Sequence, residues 1–244
     1  MGNAKAHQRY TLKSGLWVPG ASTVSGLKAK PFLIIWANRM GLQGIDTTKY
    51  VDDKAACGTL AHEMALSHFT GKEVDTSDFT KNQIDQAENS HMSFLNWLKN
   101  NPRRPVRSIL NGNLMLEVSF VSETHKFGGT IDGIFECEDG SIELNDYKTG
   151  KAIYDDHFIQ AAGYAQLAIE QGISLNAIRI VNIPRAEDEM FEQKSIRDWS
   201  NYWDIFKGLL QVYWAERRIK GTDQPKSIVG KVGWKKKGEA GVLS

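Results

Sequence analysis

Two short segments rich in β-branched and aromatic residues, Gly129 to Glu136 and Ser141 to Lys148, flank the tripeptide Glu138-Asp139-Gly140. An acidic turn with glycine between such runs specifies an antiparallel hairpin. A helical period follows from His157 to Glu170 and stops at Gly172. A strand-like run, Ala177 to Ile183, then ends before Pro184. Strand, helix and strand in this order need a crossover, so the sheet must hold parallel as well as antiparallel pairs. The expected fold class is α/β, a central mixed β-sheet flanked by helices.

The region before the hairpin has another rhythm. Pro31 to Met40 reads as a helix, with proline at a first-turn position and Gly41 as the stop. Asp52 to Phe69 and Asp78 to Asn100 read as two further helices, closed by Gly71 and by Asn101-Pro102-Arg103-Arg104-Pro105. Leu114 to Val121 reads as a strand, and residues 1–30 as loops with one short strand. Ser195 to Lys220 reads as a final helix with the stripe Trp199, Trp203, Phe206, Leu210, Tyr213 and Trp214. That stripe is a packing face first and a base-stacking platform second. One domain is expected over residues 1–221, helical to 110 and sheet-based over 111–221. A basic tail, 222–244, follows.

With 41% hydrophobic and 24% charged residues, a chain of this length can bury a core without disulfides. No apolar run reaches 18 residues, so no membrane span and no membrane partner are expected. The N-terminus lacks a signal-peptide core and, with Ala6, a myristoylation pattern. A cytoplasmic location is expected. Two cysteines, Cys57 and Cys137, are too few for a four-cysteine iron–sulfur cluster. No Gly-rich ATP loop is present. The net charge of +1 does not advertise nucleic-acid binding, but its distribution is uneven. Glu216 to Glu239 holds eight Lys/Arg against three acids, and Arg103, Arg104 and Arg107 form a second cluster. Each reads equally as a solvated surface or as a phosphate contact, and Arg179 and Arg185 are further candidates to track phosphates.

The hairpin carries the chemistry. Alternation puts Asp146 and Lys148 on one face, above Leu144 and Ile142. Pairing through the turn brings Asp132, on the face of Ile134 and Glu136, toward Asp146. Two carboxylates at a strand end suit Mg²⁺ or Mn²⁺, and a lysine beside them can offset charge growing on a phosphate. A lone Asp-x-Lys is more often a surface pair, but other elements accompany it. Gln160 and Tyr164 share a helix face, with His157 one turn earlier. Gly58-Thr59-Leu60-Ala61-His62 supplies an imidazole, and Glu117 is an acid flanked by apolar residues on a strand. Alternation leaves Glu117 either facing solvent or joining the site.

A helical histidine in Gly-Thr-x-x-His, a strand glutamate, Gly-x-x-Asp, Asp-Tyr-Lys-Thr and Gln-x-x-x-Tyr occur here in that order. Over residues 20 to 215 the chain thereby resembles the RecB-like branch of the PD-(D/E)XK nucleases. Ser22-Thr23-Val24 through Trp36-Ala37-Asn38-Arg39 is similar to the phage-encoded and mitochondrial exonucleases of that branch. The resemblance implies a restriction-endonuclease-like core. It implies His62, Asp132, Asp146 and the Tyr147 carbonyl as ligands to one or two Mg²⁺ or Mn²⁺ ions. Lys148 would be the catalytic lysine, and Glu117 would assist near the metal. Gln160 and Tyr164, with His157 beside them, would contact DNA. The chain lacks the four cysteines of the CRISPR adaptation nucleases and the motor of the helicase-fused members.

The expected function is therefore a metal-dependent deoxyribonuclease. Most directly it is an exonuclease acting on DNA ends or single strands in phage or bacterial recombination and repair, in the bacterial host cytoplasm if phage-encoded. The expected partners are DNA and a single-strand-annealing or single-strand-binding protein. Two other readings stay open: a non-catalytic DNA-binding or assembly protein that retains the fold, and a site- or structure-specific endonuclease.

Overall fold

The structure is a computed structural model and describes residues 8–109, 111–186 and 188–224. Residues 225–244, most of the expected basic tail, lie outside the described residues. A small β1–β2 pair (Tyr10–Thr11, Trp17–Val18) and the short α1 (Ala21–Ser25) precede three longer helices: α2 (Pro31–Leu42), α3 (Thr47–Thr70) and α4 (Lys81–Asn100). Then come β3 (Arg103–Pro105), β4 (Leu116–Ser122), β5 (Phe127–Cys137), β6 (Ile142–Lys148), α5 (Asp155–Glu170), β7 (Ala177–Asn182), β8 (Glu192–Ile196) and α6 (Ser200–Ile219).

Local chemistry sets the helix ends. Asp46 caps α3 by accepting from the N–H groups of Thr48 and Lys49, satisfying donors that lack intrahelical partners. Gly71, at φ 66°, ends it by donating to the Ser67 carbonyl, a left-handed closure that glycine makes without a Cβ penalty. Thr80 and Gln83 form a reciprocal capping box on α4. The expected helix over 31–40 is present, although none of α2 is buried.

The main sheet runs β3–β5–β6–β7–β8, with β4 also paired to β5. The 138–140 turn joins β5 and β6 as an antiparallel hairpin, Gly133 opposite Asn145 and Glu136 opposite Ile142. After α5 crosses over, β7 pairs parallel to β6. The sheet is thus mixed and flanked by helices, the architecture read from the order of segments. Ile134, Leu144, Ile178 and Ile180 pack on one face against α1, α5 and α6. Phe135, Tyr147 and Val181 pack on the other against Ala65 of α3 and Phe94 and Trp97 of α4.

Three expectations are corrected. Helix α6 begins at Ser200 rather than Ser195, because Glu192–Ile196 pairs with β7 as an edge strand. The Arg103 and Arg179 guanidiniums do not face solvent as phosphate readers. Both clamp the buried Glu143, at 3.1 and 2.7 Å, and Arg103 also lies over the Trp97 ring. Arg185 is buried against Glu189 at 2.6 Å. Within α6, Phe206 and Leu210 are buried, and Trp203 and Trp214, with Trp199 just before the helix, pack partly against the same core. The aromatic stripe is a packing face.

Candidate metal centre

The site forms where β4, β5 and β6 meet the middle of α3. Backbone close approach makes it. A Cβ on Gly58 would sit 2.9 Å from the Thr149 hydroxyl, so α3 lies hard against the loop leaving β6. A Cβ on Gly129 would meet the Tyr164 ring at 2.7 Å, so that ring, reaching down from α5, lies directly on β5. Both glycines act by having no side chain.

His62 projects from α3 with its ring edge-on to Tyr147. Its Nδ1 stands 3.6 Å from Asp132 Oδ1 and 3.8 Å from Glu117 Oε1. The ligand atoms of His62, Glu117 and Asp132 all lie within 4.8 Å of one another. A cation at about 2.1 Å from each ligand needs opposite ligands about 4.2 Å apart, so little contraction is required. Asp146 stands beside this trio rather than in it. Lys148 Nζ lies 3.0 Å from Asp146 Oδ1, to which it donates, and 2.8 Å from Oδ2. That second contact lacks hydrogen-bond geometry, so Oδ2 is buried with a close cation but no hydrogen bond. A buried carboxylate oxygen left in this state has a lone pair free to accept a further donor or a cation. An imidazole with hard carboxylate oxygens fits Mg²⁺ or Mn²⁺.

Glu117 answers the ambiguity of the alternation. It has φ 47°, a left-handed conformation that a side-chain-bearing residue adopts only at some cost. Leu116 packs with the α3–α4 core and Val118 with the α5–α6 core. Regular pleating would put those two on one face. The pleat breaks at Glu117, directly before the Val118–Ile131 pair, and the side chain meets His62.

The charges are unequal by environment. Burial alone would depress His62, but Asp132 and Glu117 outweigh it and push its pKa up to about 10. Burial would raise Asp132, but His62, Lys148 and the Tyr147 N–H, which donates to Oδ2 at 2.8 Å, hold it below the usual carboxylate range. Asp146 is pushed up to about 6 by burial, opposed by Lys148 and reinforced by Asp132. Lys148 is raised, since Asp146 and Asp132 outweigh its burial. The two carboxylates are thus driven apart, mainly because burial of Asp146 is less fully offset by neighbouring cations and donors than burial of Asp132.

The remaining expected residues lie on the first turns of α5. Gln160 Nε2 donates to the Tyr164 hydroxyl at 2.6 Å, and Tyr164 is itself buried over Gly129. His157 accepts from the Tyr154 N–H at 3.3 Å. Burial, with Lys148 and Lys30 nearby, pushes it down to about 4, so it is neutral at pH 7. Two residues not foreseen flank this end: Lys28 and Lys30 hold Asp156 at 2.6 and 3.1 Å. The signal for them was present in the sequence. Its first 45 residues contain six Lys/Arg and no acid.

No protein-family model and no curated protein match this chain. Among solved structures, it is similar to SSO0001 over 63% of this chain and 84% of that one, at 14% identity and TM-score 0.32. It is also similar to a protein of Eubacterium rectale described as a "Putative exonuclease", over 68% of each chain, at 15% identity and TM-score 0.45.

Proposed function

We propose that this chain is a metal-dependent deoxyribonuclease, an exonuclease acting on DNA ends or single strands. One observation carries the reading: the ligand atoms of His62, Glu117 and Asp132 converge within 4.8 Å beside the buried Asp146–Lys148 pair. The order of motifs that resembles the RecB-like nucleases supports it.

His62, Asp132 and Asp146 would hold one or two Mg²⁺ or Mn²⁺ ions, with Glu117 and the Tyr147 carbonyl filling the shell. A cation bound there supplies a water of lowered pKa and offsets charge on the phosphate. Lys148, oriented by Asp146, places an ammonium where negative charge grows during phosphodiester cleavage. The Tyr147 N–H fixes the Asp132 carboxylate. Gln160 offers an amide to phosphate or base, His157 a neutral imidazole, and Tyr164 positions Gln160. Recombination or repair, with a single-strand-annealing or single-strand-binding partner, is the setting we propose.

The test is cleavage of end-labelled linear single- and double-stranded DNA, with closed circular DNA alongside, in Mg²⁺, Mn²⁺ and EDTA. The expected result is metal-dependent loss of linear DNA with the circle intact. Nicking of the circle would make the enzyme an endonuclease. Binding without cleavage in either metal would make it a non-catalytic DNA-binding protein.

A further inference from the structure

A cleft of about 400 Å³ lies between the turn joining β4 to β5 and the C-terminal half of α6. Its lining includes His125, Lys126, Lys207 and Arg218, with Trp214 beside them and one acid, Asp223. His125 faces Glu170 at 3.7 Å, and Lys207 faces Asp204 at 2.8 Å. Lys126 and Arg218 are exposed and have no ion-pair partner among the described residues. Two cations left unpaired in a concave groove beside Trp214 suit an anionic chain.

The backbone supplies an independent observation. Lys126 has φ 59°, the left-handed conformation that favours glycine. It is held there on three sides. Its N–H donates to the Ser122 carbonyl at 2.9 Å, the preceding His125 N–H donates to Ser122 Oγ at 2.8 Å, and Trp214 Nε1 donates to the Lys126 carbonyl at 3.2 Å. A turn that accepts lysine where glycine is easier, and so keeps an ammonium on the cleft, points to use of that ammonium.

We propose that this cleft is a second phosphodiester-binding site, gripping the DNA backbone at a distance from the scissile bond. The proposal rests on the nuclease reading for its choice of anion. Lys126 is six residues from Asp132 along nearly extended chain, about 20 Å at ~3.3 Å per residue. A duplex lying along β5 has about 3.4 Å of axis per nucleotide of each strand, so the cleft would meet such a duplex about six base pairs from the metal centre. Substrates shorter than that on this side do not reach it.

The test compares Lys126→Gly, Arg218→Ala and the double variant with the unaltered protein, by fluorescence anisotropy in EDTA. The probes are a labelled DNA hairpin with a stem of about five base pairs (the 5-mer) and a labelled 30-base-pair duplex (the 30-mer), from 50 to 200 mM salt. Lys126→Gly removes the charge while relieving the backbone, so its thermal midpoint should not fall. The double variant should bind the 30-mer more weakly. Its slope of log affinity against log salt should drop by about two, one for each phosphate contact, with 5-mer binding unchanged. Unchanged 30-mer affinity and slope would overturn the cleft, and cleavage by the unaltered protein would then leave the nuclease reading standing. Loss of 30-mer binding in the variants, with no cleavage by any form in Mg²⁺ or Mn²⁺, would keep the cleft and remove the nuclease.

Discussion

Strand β6 has a buried carboxylate near each end, and the two are treated in opposite ways. Glu143 accepts from Arg179 Nε and Nη2 at 2.7 and 2.8 Å and from Arg103 Nη1 at 3.1 Å. Those arginines overcome burial and hold its pKa below the usual value. Asp146 has one cation and an oxygen with no hydrogen bond, and its pKa rises to about 6. Burial is the same problem at both ends. At Glu143 the fold solves it with three donor groups from two strands, β3 and β7, and at Asp146 a single lysine is the one donor among the described residues. The closed group is bound up in the fold, whereas the open one is free to serve the metal centre proposed above.

The largest effect should come from breaking the closed end. Glu143→Ala leaves one buried and one half-buried guanidinium without a counter-charge and should cost about 3 kcal/mol in urea unfolding. A depressed carboxylate contributes stability at pH values above its unfolded pKa, and that stability is lost as pH falls through the folded value. The gap between Glu143→Ala and the unaltered protein should thus be full at pH 7 and shrink below about pH 4.5. A gap independent of pH would mean that packing, not charge, is what Glu143 supplies.

At the open end, Lys148→Ala should lower the cleavage rate by about 10²–10³-fold while folding and most of the DNA affinity persist. Normal cleavage by this variant would remove Lys148 from the mechanism. Asp146→Asn is the sharper comparison, because it should do the reverse of Glu143→Ala. With metal chelated at pH 7, it should raise stability by about 1–3 kcal/mol and abolish cleavage. A carboxyl whose folded pKa is raised destabilises the ionised protein, so this gain should vanish as pH falls from 6 toward 4. A less stable Asp146→Asn at pH 7 would show that the Lys148 pair is closed after all.

The smallest effect concerns Glu117. Glycine there accepts φ 47° freely, so Glu117→Gly should add about 1 kcal/mol to stability while weakening Mn²⁺ binding measured by calorimetry. Unchanged Mn²⁺ affinity would leave the strained backbone without a ligand to account for it.

The hairpin, α5 and the mixed sheet were legible because apolar periods of two and 3.6 residues are properties of the sequence itself. Asp132, Asp146 and Lys148 followed from those periods. Strand β8, Glu-Gln-Lys-Ser-Ile, was not legible, because an exposed edge strand needs no apolar alternation. Strand β3 is three residues long, too short to show a period. The place of Glu117 could not be read from alternation, because the pleat breaks at that residue and nothing in a glutamate marks a left-handed backbone. Arg103 and Arg179 looked like phosphate readers because a lone arginine does not reveal its carboxylate, which here is 40 and 36 residues away.

The contact between Gly58 and Thr149 also bears on how the molecule comes together in time. The hairpin closes between near neighbours in sequence. The imidazole, by contrast, arrives on a helix some seventy residues upstream, and the parallel β6–β7 pair must wait for the crossover helix. Long-range pairings of this kind close late in folding. A refolding chain that has formed only its hairpin holds both aspartates and the lysine without the histidine, so Mn²⁺ binding at the proposed centre would report the docking of α3. Gly58→Val, which would wedge α3 away from the loop, should separate those events, giving a folded sheet before a competent metal centre.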